Sequence, residues 1–326
     1  MRIKLLLSFL FLGFIGSIYS MSPDEMLLEG VKKDDIKLVQ EAIENKANIN
    51  VINKGNTPLL LAIRKNNEPI VKLLLEKGAN PNANKGKALH FAIIGTDDSI
   101  VELLLKNGAD PSVTDNGRGD GFVESLITLA IRLNRSKKVI ELLLDKGADP
   151  NVLFADFSSP DMHMTSLMFA ILHKKELIIK LLLDNGADPD IQNDYNETAL
   201  MHAVYKKNND MAKLLIAKGA KLNIKNINGS TALIIAVDHG NADGVKLLLE
   251  NGALLNLKNN EGKTALCIAR LKNDNSIAKL LLEESKRRIK ERREIYEEVS
   301  RTEHLLPELA DIVSEYVVCQ KEDKCE

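Results

Sequence analysis

Six histidines and three cysteines are the residues of this 326-residue chain best suited to acid–base, nucleophilic or metal chemistry. His90, His173, His202 and His239 stand in or at the ends of apolar helical stretches, His163 stands in a loop and His304 in the tail. No nucleophile, base and orienting group recur at a spacing that would assemble a catalytic site. Cys267, Cys319 and Cys325 match neither a zinc pattern nor a disulfide framework. Cys319 and Cys325 are near enough to pair in an oxidising compartment, and Cys267 reads as a small buried hydrophobe. There is no Gly-rich phosphate loop and no His-Glu-x-x-His. Counted from Asp115 or Asn116, no acidic residue stands at the twelfth position, so a calcium loop fails as well. The chain is expected to use no metal or cofactor and to catalyse no reaction.

Those residues sit in a strongly periodic sequence. Gly-Ala recurs at 78/79, 108/109, 147/148, 186/187, 219/220 and 252/253, at intervals of 30, 39, 39, 33 and 33. Counted from a helix alanine to the next Gly-Ala, the distance is constant. Ala62 to Ala79, Ala92 to Ala109, Ala170 to Ala187, Ala203 to Ala220 and Ala236 to Ala253 are all 17, and only Ala130 to Ala148 is 18. Length variation therefore falls in the segment after Gly-Ala, which marks a packed unit followed by a loop. In each unit a Thr such as Thr198 opens a first helix, a Leu-rich stretch such as 211–216 builds a second, and a Gly such as Gly219 closes it. A two-helix unit cannot bury its own apolar face, so the units must stack as a solenoid.

Thr57-Pro58-Leu59 with Ala62, Ala88-Leu89-His90-Phe91-Ala92 and the run from Ile70 to Asn80 resemble the ankyrin repeat closely. The resemblance implies an all-α ankyrin-repeat solenoid of about eight units, with β-hairpin or loop fingers between helix pairs, plus C-terminal helices. It covers residues 24–285. Gly30 and Lys46-Ala47 replace the usual Ala and Gly-Ala in the first unit, and the last ends at Leu282-Glu283 without Gly-Ala, as end units should. In this family the fingertips and first-helix ends line a concave, protein-binding side.

Residues 1–20 read as a secretory leader: Arg2 and Lys4 precede an apolar run from Leu5 to Gly16, with cleavage expected after Ser20. The chain is therefore expected to be exported, to a periplasm, outside the cell or into a host cell. No later stretch has transmembrane length. The formal net charge is −2, from 44 basic and 46 acidic residues, and loss of Arg2 and Lys4 makes it −4. That balance provides no global attraction for nucleic acid.

Residues 21–285 form the expected repeat domain and 286–326 a charged helical tail. Glu284/Arg288 and Glu283/Arg287 stand at helix-pairing distance. Pro307 can open a further helix whose stripe is Leu309, Ile312, Val313, Tyr316 and Val317, which we read as a cap on the last repeat. The same segment faintly resembles the opening helix of F-box-type modules, an alternative that implies recruitment of a ubiquitin ligase by a host-directed effector. Arg118-Gly119-Asp120, a tripeptide that integrin ligands present, reads as turn chemistry in a loop insertion.

The aromatics sharpen the binding expectation. Phe91 and Phe169 immediately precede repeat alanines and are expected in the core. Phe122, Phe154, Phe157, Tyr195 and Tyr205 fall on insertions, a fingertip and a first-helix end, where large apolar side chains suit an interface. The expected surface comprises these five with Lys206 and His239, on a monomer that holds a protein partner. The alternative is that the long loop folds back and buries Phe154 and Phe157 locally.

Overall fold

The computed structural model describes residues 21–95, 97–112, 125–156 and 159–300. The leader, Arg118 to Asp120, Phe122, Phe157, His304 and the segment 306–326 lie outside the described residues. Residues 1–155 and 156–326 form two compact units.

The first unit holds four helix pairs: α1 (Pro23–Lys33) with α2 (Ile36–Glu44), α3 (Pro58–Arg64) with α4 (Glu68–Glu76), α5 (Lys87–Ile94) with α6 (Asp98–Lys106), and α7 (Leu126–Arg132) with α8 (Lys137–Asp145). Two short strands, β1 (Phe154–Asp156) and β2 (Ser159–Met164), pair as a two-stranded sheet. The second unit holds α9 (Ser166–Leu172) with α10 (Glu176–Asp184), α11 (Ala199–Tyr205) with α12 (Asn209–Ala217), α13 (Ala232–Asp238) with α14 (Ala242–Glu250), and α15 (Ala265–Leu271) with α16 (Asn275–Ser300). Within each unit the first helices pack in succession, and second helices pack on second helices. Each stacked layer buries the apolar face that one pair leaves open.

Local chemistry explains the spacing. Thr57, Thr165, Thr198, Thr231 and Thr264 each accept the N–H three residues on, which caps the first helix. The second helices end at Gly78, Gly108, Gly147, Gly186, Gly219 and Gly252, all at φ between 82° and 91°, a region open to glycine without a Cβ penalty. The following alanine donates its N–H to the carbonyl five residues back, as Ala220 does to Leu215 at 3.0 Å. This closing motif satisfies the last helical carbonyls and requires a small residue in a buried place, which is why Gly-Ala recurs. The extra residue between Ala130 and Ala148 is absorbed in the turn between α7 and α8. There Arg135 donates to the carbonyls of Ile93 and Ile94.

In the first repeat Lys46 takes the positive φ (63°) in place of glycine and the helix still ends at Glu44, but in the last repeat, which lacks Gly-Ala, the helix does not stop. α16 runs unbroken from Asn275 to Ser300, so the expected boundary at 285 falls inside one helix of about 39 Å. Leu281 is buried, and Arg288 reaches across to donate to the carbonyls of Leu249 (2.8 Å) and Ala253 (2.9 Å) at the end of α14. Arg288 also bonds Glu284 at 2.6 Å, as its spacing predicts, whereas Arg287 bonds Glu284 and Glu291 rather than Glu283. The hydrogen bond from Arg287 holds the Glu284 carboxyl below its ordinary range against the opposing effect of burial.

Candidate functional site

In the second unit the first helices and the fingers enclose a groove of about 820 Å³. Its construction follows the repeat register. The residue immediately before each repeat alanine supplies the floor, as His202, Ile235 and Ile268 do, and the residue two after it supplies one wall: Leu172, Tyr205, Asp238 and Leu271. Fingers with exposed Asn228 and Asn260 form the other wall.

Each finger is held by one asparagine. Asn193 Oδ1 accepts the N–H groups of Tyr195 (2.9 Å) and Glu197 (2.8 Å), and Asn226 and Asn259 do the same two and four residues on. Adjacent fingers are joined laterally: Ile227 N–H donates to the Tyr195 carbonyl at 2.8 Å and Asn260 N–H to the Asn228 carbonyl at 2.9 Å. This ladder leaves the Tyr195 and Ile227 side chains 44% and 54% exposed at the tips.

On the helix wall, Tyr205 and Leu271 are 46% and 56% exposed. His239 meets the Tyr205 ring edge-on at 4.6 Å, and its Nδ1 lies 3.0 Å from the Ile235 carbonyl, which selects the tautomer protonated there. Lys206 Nζ lies 5.3 Å from the Tyr205 ring centre, so a cation and an aromatic face stand together at the rim. Lys272 pairs with Asp238 and Lys263 with Glu261, each at 2.7 Å, and Glu197 leaves one further carboxylate on the lining.

The floor carries one buried ionisable group. His202 is 7% exposed, and its Nε2 has no hydrogen-bond partner, standing 3.6 Å from Glu197 Oε2. Burial lowers its pKa below the ordinary 6.5; Glu197 opposes the shift and Lys206 adds to it. A neutral imidazole at the base of an otherwise aliphatic floor offers a polar contact to whatever fills the groove.

Of the expected surface residues, Tyr205 and His239 line the groove, Lys206 flanks it and Tyr195 caps a neighbouring finger. Phe154 is corrected: it is 1% exposed and so is not a surface anchor. Phe169 is in the core, 5% exposed, while Phe91 is half-buried beneath the Arg64 guanidinium, 4.2 Å from the ring centre. Leu271, Ile227, Asn228, Asn260 and His202 were missed. The offset of two from the repeat alanine that selects Tyr205 also selects Leu271, so that signal was present in the repeat spacing. Among the described residues, no group of His, Cys, Asp and Glu is placed to hold a metal ion, and no helix is long and apolar enough to cross a membrane.

The protein-family model for ankyrin repeats, three copies long, matches residues 27–115, 127–226, 167–259 and 200–293. The crystal structure of the ankyrin repeat domain of Bcl-3, a member of the IkappaB protein family, superposes with a TM-score of 0.56 at 30% identity. That match covers 71% of this chain and 100% of the Bcl-3 domain. Human 2-5A-dependent ribonuclease is 36% identical over 72 residues, which is 22% of this chain and 10% of that protein. The match thus spans only about a tenth of that relative's length. An array of this kind is a scaffold for binding protein and is generally non-catalytic. The stacked helix pairs, their Gly-Ala closures and these matches establish that the chain belongs to the ankyrin-repeat family.

Proposed function

We propose that the chain is an exported scaffold that holds a protein partner in the groove of repeats six to eight. The observation that carries this reading is the pairing of exposed Tyr205 and Leu271 over a floor of Ile235 and Ile268, rimmed by polar fingers. Apolar anchors ringed by polar groups are what concentrates binding energy at protein interfaces. Two of the three carboxylates on the lining are paired with lysines, which favours a partner segment that inserts an apolar side chain over one recognised mainly by charge.

Export rests on the order of charged, apolar and small residues in 1–20. It is supported by the position of α1, whose capping box of Ser22 and Glu25 opens the first repeat just past the expected cleavage point. N-terminal sequencing of the exported form should begin at or near Met21; an intact Met1 would remove this part of the reading.

The binding test is Tyr205→Ala with Leu271→Ala, measured by affinity capture and quantified with the retained partner. Loss of two exposed anchors should weaken binding by about 2 kcal/mol or more, while the unfolding midpoint stays near that of the parent. Unchanged capture at unchanged stability would move the interface away from this groove.

A further inference from the structure

The eighth repeat ends in a face that every earlier repeat buries. Three residues before each repeat alanine, Leu27, Leu59, Leu89, Ile127, Leu167, Leu200 and Leu233 are each no more than 1% exposed. Their counterpart Leu266 is partly exposed. So is Cys267, whose counterparts Met201 and Ile234 are 2% and 3% exposed, and so is Leu282, where Leu249 is 5% exposed. Among the described residues, no further helix pair covers them. The flank of α16 towards α14 is already filled by Leu281 and Arg288, so the open apolar area lies on the remaining side, with Ile289 half-buried beyond it.

We propose that residues 306–317 of this same chain dock over Leu266, Cys267, Leu282 and Ile289 and close the solenoid. This inference is independent of the partner-binding reading. Three facts select that occupant. The segment carries Leu309, Ile312, Val313, Tyr316 and Val317 at helical spacing, an apolar stripe of the kind the open face needs. Its chain length fits: the drop along α16 from Ser300 to Ile289 is about 16 Å, and residues 301–308 extend to about 27 Å. Running back from there, a helix over the nine residues from Leu309 to Val317 would cover about 12 Å and bring Val317 level with Leu282. The start of α15 lies at that level as well, because α15 and α16 are an antiparallel pair joined by the tight turn 272–274, so Leu266 and Cys267 fall under the same stripe.

Cys267 reports on the cap directly. In a Cys319→Ser, Cys325→Ser chain, maleimide modification of Cys267 should be slow. Truncation after Ser300 should speed it roughly tenfold, the ratio corresponding to about 1.4 kcal/mol of docking free energy. Leu309→Asp with Val313→Asp in the full-length chain should speed it likewise, a check that does not depend on a shortened chain folding. A synthetic 302–326 peptide with serine at 319 and 325, added to the truncated chain, should slow it again. Equal rates in the full-length, truncated and Asp-substituted chains overturn the proposal. Protection that appears only at high protein concentration, with dimers in sedimentation, assigns the face to a second copy and overturns it too. Binding of a ubiquitin-ligase adaptor to the full-length tail with no change in Cys267 reactivity makes the segment a recruitment module and is the third overturning result.

Discussion

In the connection between α8 and α9, Phe154 turns inward to 1% exposure, whereas in the finger between α10 and α11 Tyr195 remains 44% exposed. Both are aromatic residues on loops, and the repeat pattern alone treats them alike. The first connection is six residues longer, enough chain to form β1 and β2 and to fold a large apolar side chain out of water. The finger has no such slack. Asn193 fixes its turn, the lateral bond from Ile227 fixes its edge, and the Tyr195 side chain is left at the tip with no core within reach. The long insertion in this chain buries its aromatic residue, while the regular 33-residue repeat displays the one it carries.

The contrast predicts its largest effect at Phe154. Phe154→Ala should cost about 3 to 5 kcal/mol in denaturant unfolding, as truncation of a buried Phe does, while Tyr195→Ala should stay within about 0.5 kcal/mol. Equal and small costs would mean that the loop packs nothing and that the inward turn of Phe154 contributes nothing to stability.

A second pair of variants separates finger conformation from finger stacking. Gly229 (φ +70°) and Gly55 (φ +74°) both need the left-handed backbone, but a Cβ at Gly229 would lie 2.4 Å from Asn260 Oδ1 and 2.8 Å from its backbone N, while at Gly55 it would meet nothing within 4 Å. Both Ala variants carry backbone strain of about 1 kcal/mol or more. Gly229→Ala should cost about 1 kcal/mol beyond Gly55→Ala and should raise hydrogen exchange at the Asn260 amide, whose bond to Asn228 it displaces. Matching costs with an unchanged Asn260 amide would show that the fingers stand independently.

The smallest effect concerns pH. Because burial lowers the pKa of folded His202, the unfolded chain takes up a proton near pH 6.5 that the folded chain refuses. Stability should therefore fall as pH drops through 6.5 towards the folded pKa, by at most about 1.4 kcal/mol per pH unit. His202→Leu should flatten that slope, and an unchanged slope would transfer the acid sensitivity to other groups.

Much of this molecule follows from local sequence because the repeat is local. Thr caps, Gly at positive φ and the alanine that completes the closing turn act within a few residues, so the helix pairs were legible from spacing, while the place of Tyr205 on a binding side was what the resemblance to the ankyrin repeat implied. The continuation of α16 past residue 285 has the same local origin, since helix-forming charged residues with Glu–Arg pairs follow Leu282 where the other units have a closing turn. Tertiary structure alone decided the rest. Whether Phe154 faces in or out depends on slack in its loop. His202 is withdrawn from solvent at the base of the groove, and Leu271 and Asn260 become one surface with Tyr205 only when consecutive repeats stack. The shared surface depends on residues about 30 or more apart in sequence, which spacing can align but whose burial only the packed layers determine.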